Sequence, residues 1–223
     1  HIPYRLVWDD GVPYSVCEDF IDRGTELVSA WRVMQTVKRD NNTSVYRHYL
    51  NCCEALNIKD ITHAIDQMIV LDYIIANEDR HLNNFGLIRN AETLEWIGAA
   101  PIFDSGSSLG YDLLPAQILS GKNIDCKPFK KKHEEQIRLI TNYDWIDFAA
   151  LGSVDKDIEN VFANAGMYAD ENRVKAVALS VKRRIANLQS LALEKAAVID
   201  NIADDVSENI AENYVNGDDG LER

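Results

Sequence analysis

Between Ile61 and Ala76 the apolar positions first keep a helical interval and then fuse into a continuous run. Ile61, Ala64, Ile65, Met68 and Ile69 recur at steps of three and four, and Asp72 falls on the same line. The stretch from His63 to Ala76 is the most apolar helix-like segment of the chain. From Met68 onward every face of it is apolar except at Asp72, as in a buried central helix. An unpaired carboxylate there would be costly, so Asp72 is expected to accept hydrogen bonds from the loop that follows. Asp60 stands where a cap would start this helix.

Two further helices are predicted upstream, Leu27 to Val37 and Val45 to Leu56, with Trp31, Met34, Tyr49, Cys52, Cys53 and Leu56 as core. Asn41-Asn42-Thr43-Ser44 between them reads as a loop and cap. Downstream, Glu134 to Thr141, Val154 to Ala163 and Glu171 to Lys195 read as helices. The last carries Val174, Val177, Ala178, Val181, Ile185, Leu188 and Leu191 in one stripe, facing a core or a partner.

Strand patterns are shorter. Tyr4 to Trp8 and Val12 to Cys17 flank Asp9-Asp10-Gly11, a tight-hairpin signal. Phe85 to Ile88 and Leu94 to Ile97 form a second pair across Arg89-Asn90-Ala91-Glu92-Thr93, and Pro101-Ile102-Phe103 is a short third run. The sum is an α+β fold, mostly helical, with a short β-hairpin at its start. No internal repeat is present.

At 223 residues the chain holds one large domain or two small ones. Its apolar and charged fractions are those of a soluble globular protein, and no run approaches the roughly 20 apolar residues of a membrane span. The opening His-Ile-Pro-Tyr-Arg has no signal-peptide organisation, and the missing initiator Met points to a trimmed chain. Four cysteines, with Cys52 and Cys53 adjacent, fit neither a zinc spacing nor a disulfide framework. Reduced thiols in a cytoplasmic protein are expected. The formal charge of −13 argues against nucleic acid as a partner. From Asp200 onward there are eight acidic residues and one basic, so the remainder carries −13 + 8 − 1 = −6. Residues 199–223 are therefore expected to form an acidic, flexible tail, after residues 1–20 and a helical lobe over 21–198. Lys127-Pro128-Phe129-Lys130-Lys131-Lys132-His133 is the basic cluster of the chain, a solvated helix start or a contact for an acidic peptide or phosphate.

Chemistry concentrates just after the apolar helix. Asp79, Arg80, His81, Asn83 and Asn84 fall within six residues, and Asp104 closes the apolar Ile102-Phe103 pair twenty residues beyond Asn84. Magnesium takes hard oxygen ligands and keeps several waters, so one carboxylate and one amide carbonyl are enough protein. A second carboxylate, free of metal, can accept the proton of an attacking hydroxyl. A base, an Asn five positions on, and an Asp after a following hairpin together make the set used for phosphoryl transfer. The alternative is an Asp-rich cap and solvated turn. Arg80 and Asn83 read as loop organisers, and His81 as a brace or a packed histidine.

The order Asp-Arg-His-x-x-Asn from Asp79 to Asn84, with Asp104 behind it, resembles the HipA-like serine/threonine kinases, a bacterial toxin family. The likeness runs from Trp8 to about Trp145. It implies a protein-kinase-like large lobe that transfers the γ-phosphate of ATP to a protein Ser or Thr hydroxyl with Mg2+. By that resemblance Asp79 is the base, Arg80 and His81 complete the catalytic loop, and Asn84 and Asp104 hold magnesium. The first hairpin becomes the end of a small lobe and Cys17 to Phe20 the hinge, with Cys17, Glu18 and Phe20 beside the adenine. Asp104-Ser105-Gly106 departs from Asp-Phe-Gly, which puts an aromatic in–out switch in doubt. Ser105 to Asp125 takes the place of an activation segment, with hydroxyls at Ser105, Ser107, Ser108 and Ser120. No glycine-rich phosphate loop occurs, and no lysine precedes Lys38. The first part of the small lobe is thus expected to be removed or supplied by another polypeptide, leaving this piece inactive alone. Phosphatidylinositol kinases share Asp-Arg-His-x-x-Asn, but no basic membrane-binding surface is evident. A non-catalytic module contacting an antitoxin-like repressor or an N-terminal subunit is the other alternative. Expected partners are a Ser/Thr-bearing protein and such a subunit, with neither nucleic acid nor membrane.

Overall fold

The computed structural model describes residues 1–121, 124–163, 165–166 and 169–215, with side chains to residue 198. The chain divides into two units, His1–Lys182 and Arg183–Arg223. The first opens with an antiparallel hairpin, β1 (Tyr4–Asp9) and β2 (Val12–Cys17), running from Tyr4 opposite Cys17 to Asp9 opposite Val12. Asp10 and Gly11 turn it with φ of 45° and 77°, the left-handed pair that a two-residue hairpin requires.

A second antiparallel sheet has the order β3 (Thr25–Ser29), β4 (Gly86–Asn90), β5 (Trp96–Ala99). The predicted helix over Leu27 to Val37 is therefore replaced by β3 and one short helical turn, α1 (Ala30–Val33). Leu27 and Val28 pair with Ile88 and Leu87, sixty residues away, and that ladder overrides the local periodicity. Gly86 is what lets the strands meet. A Cβ there would lie 2.2 Å from the Val28 carbonyl oxygen. Trp31, expected in the core, is 50% exposed as a result.

The helices α2 (Val45–Ala55) and α3 (Ile61–Ile74) supply the centre. Ile65, Met68, Ile69 and Tyr73 of α3 are buried, as are Tyr49, Cys52 and Cys53 of α2 and Leu87 of β4. The Tyr49 and Phe85 rings meet edge to face at 5.3 Å. None of the four cysteines forms a disulfide, and burial pushes the Cys53 thiol up to about 12. Ser44 caps α2 by accepting the Arg47 amide at 3.1 Å. Asp60 sits at the start of α3 with φ of 56° and makes no side-chain cap bond, contrary to expectation.

Beyond the sheet come α4 (Pro115–Leu119), α5 (His133–Gln136), α6 (Val154–Phe162) and α7 (Glu171–Val215), the last continuing into the second unit. Pro101 to Phe103 forms no strand, although the Ile102 carbonyl accepts the Ile2 amide at 2.9 Å. The helix predicted over Glu134 to Thr141 is one turn plus a 3-10 turn at Ile137–Leu139. It stops there because the buried Asp66 carboxylate takes the Thr141 amide and hydroxyl, at 3.0 and 2.6 Å. The backbone of α7 runs past Lys195 to Val215, and the last part of the expected acidic tail, residues 216–223, lies outside the described residues. Among the described residues no helix is long and apolar enough to cross a membrane.

Candidate functional site: a carboxylate-and-amide loop at the end of the central helix

The loop grows directly out of α3. Ala76 turns with φ of 53°, and Asn77 is then clipped back onto Asp72, amide to carbonyl at 2.9 Å and Nδ2 to Oδ1 at 2.8 Å. Asn77 Oδ1 accepts the Asp79 amide at 3.1 Å. The Asp79 carbonyl in turn accepts the His81 amide at 2.7 Å and Asn84 Nδ2 at 3.1 Å. His81 takes the Asn84 amide on its carbonyl and the Asn83 amide on Nδ1. Asn77, Asp79, His81 and Asn84 thus fix the loop's shape through their own backbone and side-chain groups.

Arg80 joins this loop to the Asp104 segment. Its side chain is fully buried. Nε and Nη2 clasp the two oxygens of Asp72, each at 2.9 Å, in the fork geometry that favours a guanidinium over an ammonium. Nη1 donates to the Asn84 carbonyl at 2.9 Å and to the Phe103 carbonyl, and Nη2 reaches Ser105 Oγ at 2.9 Å. The residues on either side of Asp104 are thereby tied to the loop carrying Asp79 and Asn84. Burial raises the Asp72 carboxyl, while the Arg80 fork and the Asn77 amide oppose that rise. Asp72 does accept from the loop, as its place in the apolar helix implied.

Asp104 is exposed, with φ of 50°. Its amide donates to the Tyr4 hydroxyl at 3.2 Å, and the preceding Phe103 ring packs on Phe20 at 5.2 Å. Of the expected hinge residues, Phe20 therefore reaches the Asp104 segment. Cys17 and Glu18 are exposed and make no side-chain bond to the loop or to Asp104, although Cys17 pairs with Tyr4 in the ladder. With Nδ2 committed to the Asp79 carbonyl, Asn84 has Oδ1 left as a free acceptor, and no described donor reaches it. A free amide oxygen and an exposed carboxylate suit a hard cation completed by water and phosphate oxygens. Among the described residues no cluster of three or more His, Cys, Asp or Glu side chains is preassembled for a metal, and an amide-and-carboxylate pair needs none.

Asp79 itself is half exposed and meets Lys127, whose Nζ lies 2.6 Å from Oδ1. That hydrogen bond holds the Asp79 carboxyl below its ordinary value; burial opposes it, and the Lys127 and His81 charges add to it. Burial and the like charges of Asp112 and Asp79 push the neighbouring Glu78 carboxyl up, with Lys127 opposing. A groove of about 360 Å³, lined by His81, Leu82, Asn83, Lys127 and Pro128, opens beside Asp79. The segment after Asp104 is tied to the same helix end, through Glu78 amide to Ser107 carbonyl at 3.0 Å and Leu109 amide to Ile75 carbonyl at 2.7 Å.

Lys127 and Tyr4 are additions to the residues that the sequence singled out. Membership of the basic cluster was the only signal for Lys127, and Tyr4 carried none, since its part depends on where the hairpin lands.

No family model matches the chain, and no curated protein matches it. Among solved structures, a Helicobacter pylori proinflammatory kinase, CtkA, is similar with a TM-score of 0.61 and 18% identity, over 87% of this chain and 81% of that one. The chain thus has a kinase-like α+β fold, with small sheets and mostly helical content.

Proposed function

We propose that this chain carries the phosphoryl-transfer site of a HipA-like serine/threonine protein kinase that uses ATP and magnesium. The observation that supports it most is the divided amide of Asn84: one end braces the Asp79 carbonyl and the other stays open as an oxygen ligand. Arg80 ties the flanks of Asp104 to that same loop. Asn84 and Asp104 would hold the ion, which supplies charge neutralisation for the nucleotide's phosphates. Phe20, against Phe103, would lie on the adenine side, with Cys17 and Glu18 lending hinge backbone.

Asp79 would orient the acceptor hydroxyl and take its proton. Its carboxylate is ionised at neutral pH, and the lowering by Lys127 makes it a weaker base, so orienting the hydroxyl is its main task. His81 would brace the loop through the Asn83 and Asn84 amides, and Arg80 would hold its register. The acceptor proposed is a protein Ser or Thr in the cytoplasm, with an antitoxin-like or N-terminal partner.

The test is phosphate transfer from labelled ATP by the full-length protein. Asp79→Ala and Asp104→Ala are each expected to lower turnover by at least the ~10²–10⁴-fold of a positioned acid–base or charge-stabilising group. Asp104→Ala should also weaken magnesium-dependent nucleotide binding in calorimetry, and Asp79→Ala should not. Wild-type rates in both variants would remove the proposal.

A further inference from the structure

Lys127 reaches the loop from a distant segment and is held there from below. Exposed ion pairs contribute little and wander unless the backbone beneath them is fixed, and both partners here are about half exposed, at 54% and 43%. Gln136, 1% exposed, supplies the fixing. Its Nε2 donates to the Lys127 carbonyl at 2.8 Å, and its Oε1 accepts the Phe129 and Lys130 amides at 3.0 and 3.1 Å. The amide of a buried glutamine is thus given over to one surface turn. Phe129 anchors the same turn, its ring standing edge-on to Tyr46 and Phe85 at 5.2 and 5.9 Å. A lysine that only solvates a helix start needs no such footing.

We propose that Lys127 is the positioning residue for Asp79, and that the groove beside the pair seats the phosphoacceptor chain, an inference that rests on the kinase function proposed above. Lys127 occupies Oδ1 of Asp79 and leaves Oδ2 to accept the acceptor hydroxyl. Pinning one oxygen fixes the carboxylate plane, so the second oxygen points to one place instead of several. In the transfer the acceptor oxygen bonds to the terminal phosphorus while the bond from that phosphorus to ADP breaks. The bonding electron pair leaves on ADP, and the hydroxyl proton passes to Asp79 Oδ2. His81, Leu82, Asn83 and Pro128 wall the approach on the side where Lys127 stands. The ammonium also offsets the negative charge gathered there by Asp79, Glu78 and Asp112, which would otherwise repel the phosphate.

The test compares K127M, K127R and Q136L in the full-length protein. The Asp79 carboxyl is titrated by carbon NMR with labelled aspartate, its signal assigned through D79N. Asp79 faces Lys127, with Glu78 and His81 beside it in the loop and Asp112 across from Glu78. K127M should raise its midpoint, and K127R should keep it low. In steady state K127M should lower kcat about tenfold or more and raise KM for the acceptor, with KM for ATP unchanged. K127R should recover most of that loss. Q136L, which keeps the charge and loses the footing, should fall between. An Asp79 midpoint that stays put in K127M overturns the pairing whether or not the chain is a kinase. Wild-type kcat and acceptor KM in K127M, beside an inactive D79N, overturn the positioning role and leave the kinase function standing. A D79N variant at the wild-type rate removes both.

Discussion

Asp72→Asn and Arg80→Met break the same ion pair and should not cost the same. The pair is bidentate, at 2.9 Å twice, with side chains 0–1% exposed. Asp72→Asn leaves a buried guanidinium without a counter-ion, and arginine cannot shed its proton. The variant therefore bears the full penalty of an uncompensated buried charge, about 3–5 kcal/mol, at every pH. Arg80→Met leaves a buried carboxylate, which can take up a proton instead. Burial already pushes the Asp72 carboxyl up, and losing the opposing guanidinium pushes it further. A carboxyl raised in the folded state contributes least destabilisation below its unfolded pKa of about 3.9 and costs stability as pH climbs from there. The slope is about 1.4 kcal/mol per pH unit until the folded pKa is reached. Urea denaturation followed by tryptophan fluorescence, from about pH 4 to pH 7, reads both effects. Arg80→Met should lose stability relative to wild type as pH rises, whereas the Asp72→Asn loss relative to wild type should not grow with pH. An Arg80→Met curve parallel to wild type, or an Asp72→Asn loss under about 1 kcal/mol, would refute the reasoning.

Gly86→Ala places a methyl 2.2 Å from the Val28 carbonyl oxygen and 2.8 Å from the Ser29 Cα. The strands must separate, so the expected loss is at least the ~1–3 kcal/mol of an overpacked core, measured by the same denaturation. Thiol labelling of the native protein should be fast at exposed Cys17 and slow at buried Cys52, Cys53 and Cys126, with Cys53 slowest because burial pushes its thiol up to about 12. Mass spectrometry of timed samples checks the order.

The central helix was legible because its apolar run is local information: Ile61 to Ala76 needs no distant partner to show its period. The loop behind it was legible as a cluster of polar residues too dense for a plain turn. The strand at Thr25–Ser29 was not, because its pairing partner lies sixty residues on and only Gly86 hints at so close an approach. Arg80 could be seen as a loop organiser, but its bonds to the Phe103 carbonyl and Ser105 depend on how two separate segments fold back. Lys127 was hidden for a related reason. Nothing in a lysine-rich stretch says which ammonium will be aimed, and the aiming is done by Gln136, nine residues further along.

Tyr4 gives the opening hairpin a grip on the Asp104 segment. Its hydroxyl takes the Asp104 amide, and across the ladder it stands opposite Cys17. A ligand that drew on that strand pair would act, through this hydrogen bond, on the backbone from which the Asp104 carboxylate hangs. Thermodynamic reciprocity then runs the other way as well: an ion held at Asp104, as proposed, would favour the ordered hairpin by the same free energy with which the ordered hairpin would favour the ion. Under the proposed function, a base at the hairpin and a metal at Asp104 would therefore not bind independently.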